Sequence, residues 1–249
     1  MSRESLLLSG LQPSDVVYKY FPMKYLTLLI KRRLLRVDHT STWEDVYENF
    51  FLKNEFVYEG MNGCAKSLQG CVYGQSWTLQ DESDAMWRIY SGKYRGNCAV
   101  RIRTTVGKLL SVFSSERDKE EPSDPSVYIG RVKYLTDDDL LDWQEQPIWV
   151  EDMSRMIRDS FFLKRLPFEH EQEVRVIKML PGEFRNVGID HLLFNIDPFS
   201  VIDEYVIEPR LKEEQATDVK EKLVSLGVDA QKVRQSDLYK FRPSRIRIQ

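Results

Sequence analysis

The sequence contains no apolar run long enough to cross a bilayer. Its longest apolar stretch, 25–30, is followed by basic residues, whereas a membrane-spanning helix needs about 20 apolar residues. The first eight residues combine a short apolar stretch with an acidic residue and lack the small-residue cleavage pattern of a secretory signal. We therefore expect a protein that neither spans a membrane nor carries a signal peptide.

Cysteine and histidine are both scarce, with three of each among 249 residues. Cys64 and Cys71 lie seven positions apart, which is wider than the cysteine spacing of a zinc knuckle. An odd number of cysteines also fails to fit a disulfide framework. These absences predict a reduced, cytoplasmic protein without a structural metal, and no local pattern indicates a histidine-based catalytic triad.

Several signatures of nucleotide-binding proteins and hydrolases are missing. Gly92 and Gly96 lack the spacing of a phosphate-binding glycine loop, and no nucleophile-elbow serine or zinc-binding helix occurs. The formal net charge of −3 provides no basic excess for coating nucleic acid. A local basic patch is not excluded: the tail 240–249 either contacts phosphates or is a solvated terminus. Its basic residues are Lys240, Arg242, Arg245 and Arg247.

Apolar patterns predict a mixture of strands and helices. Strands outnumber helices and come in mixed order, which favours an α+β fold in a single domain over residues 1–249. Within it, 1–15 is an N-terminal extension and 240–249 the basic tail, while 53–69 lacks a clear pattern and is predicted to be a loop. The predicted strands are 16–20, 35–38, 70–79, 98–104, 126–134 and 201–207, and the predicted helices 23–34, 41–50, 84–90, 106–113, 152–164 and 212–226.

The most informative segment is 162–178, where basic and aromatic residues lead into a strand that opens with acids at alternate positions. Because side chains alternate across a strand, we expect Glu171, Glu173 and Arg175 on one face. Carboxylates beside an arginine suit a site that recognises hydroxyls and stabilises positive charge. An exposed edge strand with a cross-paired arginine would show the same pattern, and the residues alone leave both interpretations open.

Three other segments carry candidate binding residues. The first is a strand with two tyrosines on one face, the second a strand end before a helix N-terminus that could attract phosphate, and the third a helix face with two rings. Each pattern is also typical of ordinary strand packing, strand ends or helix cores. The candidates are Tyr18, Lys19 and Tyr20 in the first segment, Ser76 and Trp77 in the second, and Trp87 and Tyr90 in the third.

Taken in order, these segments resemble a bacterial family known as domain of unknown function 2971. The resemblance extends over about residues 16–240. The family's second, acidic element is matched only loosely by 43–48, without the usual Asn-Asp-Pro. The matching motifs are Tyr18-Lys19-Tyr20, Gln75-Ser76-Trp77, Met86-Trp87 and a late element formed by Lys164, Phe168, Glu171, Glu173 and Arg175.

The layout of this family is similar to that of ADP-ribosyltransferases, which implies a mixed and antiparallel split sheet with flanking helices and NAD as a substrate. Breaking the nicotinamide–ribose bond builds positive charge on the ribose. The resemblance implies that Glu173 stabilises this charge and that Glu171 positions or deprotonates the acceptor. It further implies that Trp77, Trp87 or Tyr90 stacks on nicotinamide, that Ser76 or Lys19 holds ribose or phosphate, and that Tyr18, Lys19 or Tyr20 binds the ribose.

The chain is also similar in size and style to toxins of antiviral toxin–antitoxin–chaperone systems, some of which modify RNA with ADP-ribose. The resemblance therefore implies a toxin that ADP-ribosylates RNA, another nucleic acid or a protein, with an antitoxin and a chaperone as partners. Two alternatives stay open. One is a non-catalytic regulatory or binding domain with a structural acidic strand, and the other is an RNase-type toxin whose acids converge on a metal.

Overall fold

The computed structural model describes residues 7–45, 47–48, 50–58, 61–64, 71–92, 98–114, 127–147, 149–180, 189–241 and 243. Contacts divide the chain into two compact units. The first unit comprises 1–18, 34–80 and 104–196, and the second comprises 19–33, 81–103 and 197–249. Strands and helices occur in both, which confirms the α+β class. The single domain over 1–249 stays a prediction, and Arg242, Arg245 and Arg247 of the basic tail lie outside the described residues.

The helices and strands follow one another in mixed order. None of the described helices is both long and apolar enough to span a membrane. The strands are β1 (Leu7–Leu8), β2 (Val16–Pro22), β3 (Leu34–His39), β4 (Glu55–Tyr58), β5 (Met61–Cys64), β6 (Val72–Thr78), β7 (Ala99–Thr105), β8 (Val127–Arg131), β9 (Lys133–Leu135), β10 (Leu163–Arg165), β11 (Glu173–Met179), β12 (His191–Asn195), β13 (Glu204–Ile207) and β14 (Val233–Gln235). The α-helices are α1 (Met23–Arg32), α2 (Phe50–Lys53), α3 (Asp84–Gly92), α4 (Val106–Phe113), α5 (Asp137–Glu145), α6 (Met153–Ser160), α7 (Pro198–Val201) and α8 (Glu213–Ser225).

The sheet of the first unit is built around β11. This strand pairs antiparallel with β6 on one side and with β8 on the other. β1 continues the sheet in parallel beside β8, and β3 pairs with both β6 and β12. Because β11 has a hydrogen-bonded neighbour on each side, the acidic segment does not form an exposed edge strand.

A separate pair of short parallel strands, β9 and β10, lies in the same unit. Its register sets Leu163 opposite Lys133 and Lys164 opposite Tyr134. Helix α5 follows β9 directly and is started by a capping box in which Thr136 and Asp139 bind each other's backbone N–H groups. The cap fixes the direction in which the chain leaves β9, and the pairing brings the side chains of Tyr134 and Lys164 to neighbouring positions.

The apolar core of the first unit contains residues from both sheets and from three helices. Helix α6 contributes because its apolar residues recur at helical spacing, as the sequence predicts for 152–164. Each fully buried aliphatic or aromatic side chain stabilises the fold by about 1.5–3 kcal/mol. The buried residues of this cluster are Phe50, Phe51, Val72, Leu135, Leu140, Ile157, Phe161, Phe162, Leu163 and Ile177.

The second unit contains strands that pair with one another and an apolar core of its own. β7 pairs antiparallel with β13, which pairs in parallel with β14, and α8 contacts both β13 and β14. Glycine at 227 adopts φ +95°, a conformation that glycine enters easily after the end of α8. The buried cluster comprises Tyr20, Met86, Trp87, Ala99 and Val206.

Some predictions from the sequence are wrong in part. The predicted helix 41–50 is a 3-10 helix only over Thr40–Thr42, with α2 beginning at Phe50, and the predicted helix 152–164 ends at Ser160 because the chain continues into β10. The segment 53–69 is not a continuous loop, since β4 and β5 pair antiparallel within it, with Glu55 opposite Cys64. Backbone pairing formed there without a strong alternation of side chains. The N-terminal extension predicted at 1–15 contains β1, in which Leu7 pairs with Ile129.

Gly74 of β6 provides a test of packing in the first unit. A Cβ atom at this position would overlap the ring of Trp43 and lie 3.2 Å from Cδ1 of Ile177. We expect Gly74→Ala to lower the free energy of unfolding by about 1–3 kcal/mol, because overpacking forces buried neighbours to shift. Urea unfolding followed by tryptophan fluorescence measures the change. Ser111→Ala, at an exposed position of α4, should change it by less than about 0.5 kcal/mol, and equal effects would contradict the packing argument.

Candidate active site

The first residues of β11 place two charged side chains in the protein interior. Glu173 is 7% exposed and Arg175 is 1% exposed. The guanidinium of Arg175 donates from Nε to Oε2 of Glu173 at 2.6 Å and from Nη1 to the carbonyl of Phe161 at 2.8 Å. Its Nη2 donates to Oε1 of Glu48. Buried charges are tolerated when they are paired and hydrogen-bonded in this way.

The ring of Trp43 covers the guanidinium of Arg175. The Cζ atom of Arg175 lies 4.4 Å from the ring centroid, which is a cation–π distance. Gly74 makes room for this ring, because a side chain there would occupy the same space. The loosely matched acidic segment thus contributes both Trp43 and Glu48 to the surroundings of Arg175.

Glu171 reaches the site from a turn and not from the strand. Leu166–Glu171 form a 3-10 helix, and Gln172 has φ +42°, so that β11 begins only at Glu173. The prediction that Glu171 alternates with Glu173 and Arg175 along one strand is therefore wrong. The turn forms because the N–H of Gln172 bonds to the carbonyl of Glu169 at 3.1 Å, which an extended strand would not allow.

Two bonds fix this turn to β6. The hydroxyl of Thr78 donates to the carbonyl of Glu171 at 2.7 Å. The N–H of Leu79 donates to the carbonyl of Gln172 at 3.0 Å. The backbone around Glu171 is consequently held against the end of the strand that carries Ser76.

The ammonium of Lys164 joins the two carboxylates. Its Nζ lies 2.6 Å from Oε2 of Glu171 and 2.8 Å from Oε1 of Glu173. Oε1 of Glu48 is 3.6 Å from the same nitrogen. Three carboxyl groups therefore surround two cations, Lys164 and Arg175, and the cluster is neutral when one carboxyl group holds a proton.

The pKa values of Glu171 and Glu173 are shifted in opposite directions. Burial, followed by the hydrogen bond and charge of Glu173, raises the pKa of Glu171 to about 7 in spite of Lys164. Burial also acts to raise the pKa of Glu173, but the charge of Arg175, the hydrogen bond from Glu171 and the ammonium of Lys164 hold it well below its usual range. Glu171 therefore binds a proton more readily than Glu173 and is mostly protonated only below about pH 7, where Glu173 stays ionised. Such a pair can combine a fixed negative charge with acid–base chemistry.

Two hydroxyl groups complete the surroundings of Glu173. Ser76 donates from Oγ to Oε2 of Glu173 at 3.3 Å. The N–H of Glu173 donates to Oη of Tyr134 at 2.8 Å. Burial raises the pKa of Tyr134 to about 12, so the phenol stays neutral around neutral pH. Together they hold both the backbone and the carboxylate of Glu173.

Strand register places several predicted residues on one face of the first unit's sheet. Thr78 of β6 lies opposite Glu173 on one side and opposite Tyr18 on the other. Ser76 lies two residues from Thr78 and opposite Arg175. Directly opposed residues share a face, so Tyr18, Ser76 and Glu173 lie on the same face.

Trp77 lies on the opposite face of β6, because neighbouring side chains alternate. It is 3% exposed, and its Nε1 donates to Oε1 of Gln75 at 2.9 Å. The structure does not bring Trp77 to the carboxylate of Glu173. Its stacking on nicotinamide stays a prediction.

Four predicted residues, Lys19, Tyr20, Trp87 and Tyr90, belong to the second unit. The ring of Tyr20 meets Trp87 edge-on at 4.8 Å between centroids and stacks with Tyr90 at 5.8 Å. Tyr20 and Trp87 are buried and Tyr90 is half-buried, which fits the simpler interpretation of a core. Lys19 lies over the ring of Phe21 at 5.5 Å. Their roles in NAD binding stay predictions.

The sequence assigned no role to four residues of this cluster. Lys164 and Arg175 stood in the matched family pattern, and Glu48 lay in its loosely matched acidic element. Their spacing in the sequence does not reveal that they converge on Glu173. Nothing in the sequence distinguishes Tyr134 from other tyrosines, because a tyrosine in a strand normally indicates packing.

The carboxyl groups of the cluster contact the cations Lys164 and Arg175 and are not arranged like the ligands of a metal ion. Within the described ranges, no group of three or more histidine, cysteine, aspartate or glutamate residues is arranged to hold a metal ion. Glu171, Glu173 and Glu48 instead contact Lys164 or Arg175.

Replacement of Arg175 tests the energetics of the cluster. We expect Arg175→Met to lower the free energy of unfolding by about 3–5 kcal/mol, because Glu48 and Glu173 would be left buried without their main partner. Arg155→Met is the control, since Arg155 is an exposed residue paired with Asp152 at 2.8 Å, and should cost less than about 1 kcal/mol. Urea unfolding of both variants is the measurement. Similar small losses in the two would show that the buried network contributes little.

Comparisons with known proteins support part of the resemblance. The family model described as protein of unknown function (DUF2971) matches residues 86–176, which include Glu173 and Arg175 of β11. No curated protein matches the chain. Similar solved structures include DarT of Thermus sp. 2.9 in complex with ADP-ribosylated ssDNA, at a TM-score of 0.41 and 10% identity over 92% of this chain and 97% of that chain. The same protein in complex with NAD+ has a TM-score of 0.41 and 10% identity over 91% and 98%. Likeness of this strength is too weak to assign an activity, whereas the family match confirms the predicted resemblance to DUF2971 proteins over residues 86–176.

Proposed function

We propose that this protein is an NAD-dependent ADP-ribosyltransferase that acts on nucleic acid. The observation that supports this most is the buried pair of Glu171 and Glu173, whose pKa values are shifted in opposite directions. A carboxylate that stays ionised in a largely water-excluded place suits a reaction that builds positive charge on a sugar. The pair also lies in the segment that matches the family model.

In this proposal, Glu173 stabilises the positive charge that develops on the ribose of NAD. The positive charges of Arg175 and Lys164 keep its carboxylate ionised. When the nicotinamide–ribose bond breaks, its electrons leave with nicotinamide and the ribose becomes positively charged. A carboxylate that accepts a hydrogen bond from the ribose 2′-hydroxyl interacts more strongly with this charged state than with intact NAD. Ser76 and Tyr18, on the same face of the sheet, are assigned to the ribose side.

In this proposal, Glu171 contacts the acceptor molecule and accepts its proton. Its side chain is 20% exposed, compared with 8% for Glu173, so solvent and a second substrate reach it more easily. In its ionised form it can take the proton of the acceptor nucleophile as that group attacks the ribose. The positions of the two acids, one on a turn and one on a buried strand, support this division of roles.

RNA or another nucleic acid is the proposed acceptor, and the toxin role with an antitoxin and a chaperone rests on the resemblance alone. Incubation of the protein with isotope-labelled NAD and equal amounts of RNA, single-stranded DNA and protein, followed by mass spectrometry, identifies the acceptor. Label on RNA or on single-stranded DNA is the expected result and shows which nucleic acid is modified. Label on protein alone would correct the acceptor, and intact NAD in every mixture would contradict the transferase proposal.

The two other functions have less support from the site. An RNase that depends on a metal needs acids that converge on an ion, whereas Glu171 and Glu173 converge on Lys164. A purely structural acidic strand does not require one carboxyl group with a pKa near neutrality. RNA cleavage that needs Mg²⁺ and no NAD would nevertheless favour the RNase.

Glu173→Gln tests the carboxylate at the ribose. We expect NAD consumption to fall on the order of a hundredfold or more, because the neutral amide cannot stabilise the positive charge. Chromatographic measurement of NAD and nicotinamide gives the rate. Glu169→Gln changes an exposed acid of the same turn and should retain activity. Circular dichroism confirms that the variants are folded, and undiminished turnover in folded Glu173→Gln would contradict the assignment.

The pH dependence tests the role of Glu171. Its raised pKa means that the ionised form, which can accept a proton, becomes abundant only above about 7. We therefore expect kcat/KM for transfer to rise as the pH increases through about 7 and to level off above it. Glu171→Gln should be slow and should lack this rise. A wild-type profile that is flat between about pH 5 and 9 would show that no such base is used.

A further inference from the structure

Strands β9 and β10 bring two polar side chains to the same place. Lys164 of β10 lies opposite Tyr134 of β9 in the parallel register. The ammonium of Lys164 binds the carboxylates of Glu171 and Glu173, and the hydroxyl oxygen of Tyr134 accepts the N–H of Glu173. This strand pair therefore contacts the turn between the two acids at three points.

The ammonium of Lys164 reduces the electrostatic repulsion between the carboxyl groups of Glu171 and Glu173. Burial and the repulsion between the two carboxyl groups both disfavour the state in which both are ionised. Lys164 is itself buried and 2.6–2.8 Å from one oxygen of each acid. A single fixed ammonium thus sets the separation of the two groups and compensates one negative charge.

We propose that Lys164 is a positioning residue that holds Glu171 and Glu173 as a pair, in which Glu173 stays ionised while Glu171 exchanges its proton with the acceptor. This inference rests on the proposed transferase function. Lys164 acts through the two glutamates and forms no bond to the reacting atoms. It therefore differs in role from the two acids, although it belongs to the same motif.

The proton balance of the step is complete without a further reactant. The bond between ribose C1′ and the nicotinamide nitrogen breaks, and its electron pair leaves with nicotinamide. The acceptor atom forms the new bond to C1′ and transfers its proton to the carboxylate of Glu171, which later releases it to water. Burial acts to lower the pKa of Lys164, but the charge of Glu173 and the hydrogen bonds to both acids raise it above its ordinary value, so Lys164 keeps its proton.

Charged and titratable groups approach Glu171 from every neighbouring element. Glu173 acts to raise its pKa, and Lys164 acts to lower it. Loss of the ammonium would remove the lowering influence and leave the raising one. The pH at which Glu171 ionises would then increase. Lys164 from β10, Tyr134 from β9 and Glu173 from β11 interact with Glu171 directly. Arg175 from β11 and Glu48 from the segment before α2 interact with Glu173.

The first test compares charge removal with charge retention at position 164. In Lys164→Gln and Lys164→Met, the pH of half-maximal transfer should move upward by about one unit or more, and kcat at pH 7 should fall about tenfold or more. The KM for NAD should change less than kcat. Lys164→Arg should keep the wild-type midpoint. Lys133→Met, an exposed lysine of the neighbouring strand, is the matched control and should behave like wild type.

The second test does not depend on activity. Carbon-13 NMR of the glutamate carboxyl groups, without NAD, follows the ionisation of Glu171, whose signal is identified by its loss in Glu171→Gln. The pKa of Glu171 should be higher in Lys164→Gln than in wild type and unchanged in Lys164→Arg. Lys164→Gln retains hydrogen-bonding groups, so it can be measured if Lys164→Met does not fold.

The outcomes separate the two proposals. If Glu171 titrates as expected but wild type consumes no NAD, the transferase function fails and the role of Lys164 in the pair stands. If wild type is an active transferase and Lys164→Gln shifts neither the Glu171 titration nor the pH midpoint, the inference about Lys164 is overturned. An equal shift in Lys164→Arg would also overturn it, because the charge would then not be the cause.

Discussion

The burial of Arg175 in the middle of a sheet is the constraint on which the rest of the site depends. A guanidinium that is 1% exposed requires partners for its charge and its donors, and it finds them in Glu173, Glu48 and the carbonyl of Phe161. These partners come from distant parts of the chain. Glu173 in turn binds Lys164, which reaches out to Glu171. The geometry of the candidate site and the stability of the fold therefore depend on the same bonds, so a change in the site also affects the core beneath it.

Much of the fold could be predicted from local patterns, because its helices and strands carry regular apolar spacing. Helix 106–113 agrees with the structure at both ends, and the strand predicted at 70–79 is β6. The acidic segment shows where this approach stops. Its alternating acids favoured a strand through Glu171, but a 3-10 helix and the positive φ of Gln172 interrupt it. Such a turn is stabilised by contacts with Thr78 and Leu79, which are about a hundred residues away and leave no trace in local sequence.

The sequence indicated some residues of the charged cluster around Glu173, but not how they come together. The family pattern named Glu171, Glu173 and Ser76, and strand register brings Glu173 and Ser76 together. The pattern could not show that Lys164 and Arg175 share the charge of these acids, since that depends on pairing between separate strands. Aromatic residues were the least informative, because Trp77 and Trp87 have the burial expected of any large apolar side chain. Charged residues in the interior are rarer, and their contacts say more about function.

Glu173 and Glu171 lie on backbone segments that differ in how much sequence change they tolerate. Glu173 belongs to a strand that is paired on both sides and packed in the core, so its neighbours tolerate little change. Glu171 ends a short surface turn in which Leu166, Glu169 and His170 are exposed. Substitutions in that turn can alter what approaches Glu171 while the strand stays intact. Under the proposed function, changes within these six residues of surface backbone would alter which acceptor is modified and leave the carboxylate assigned to the ribose in place.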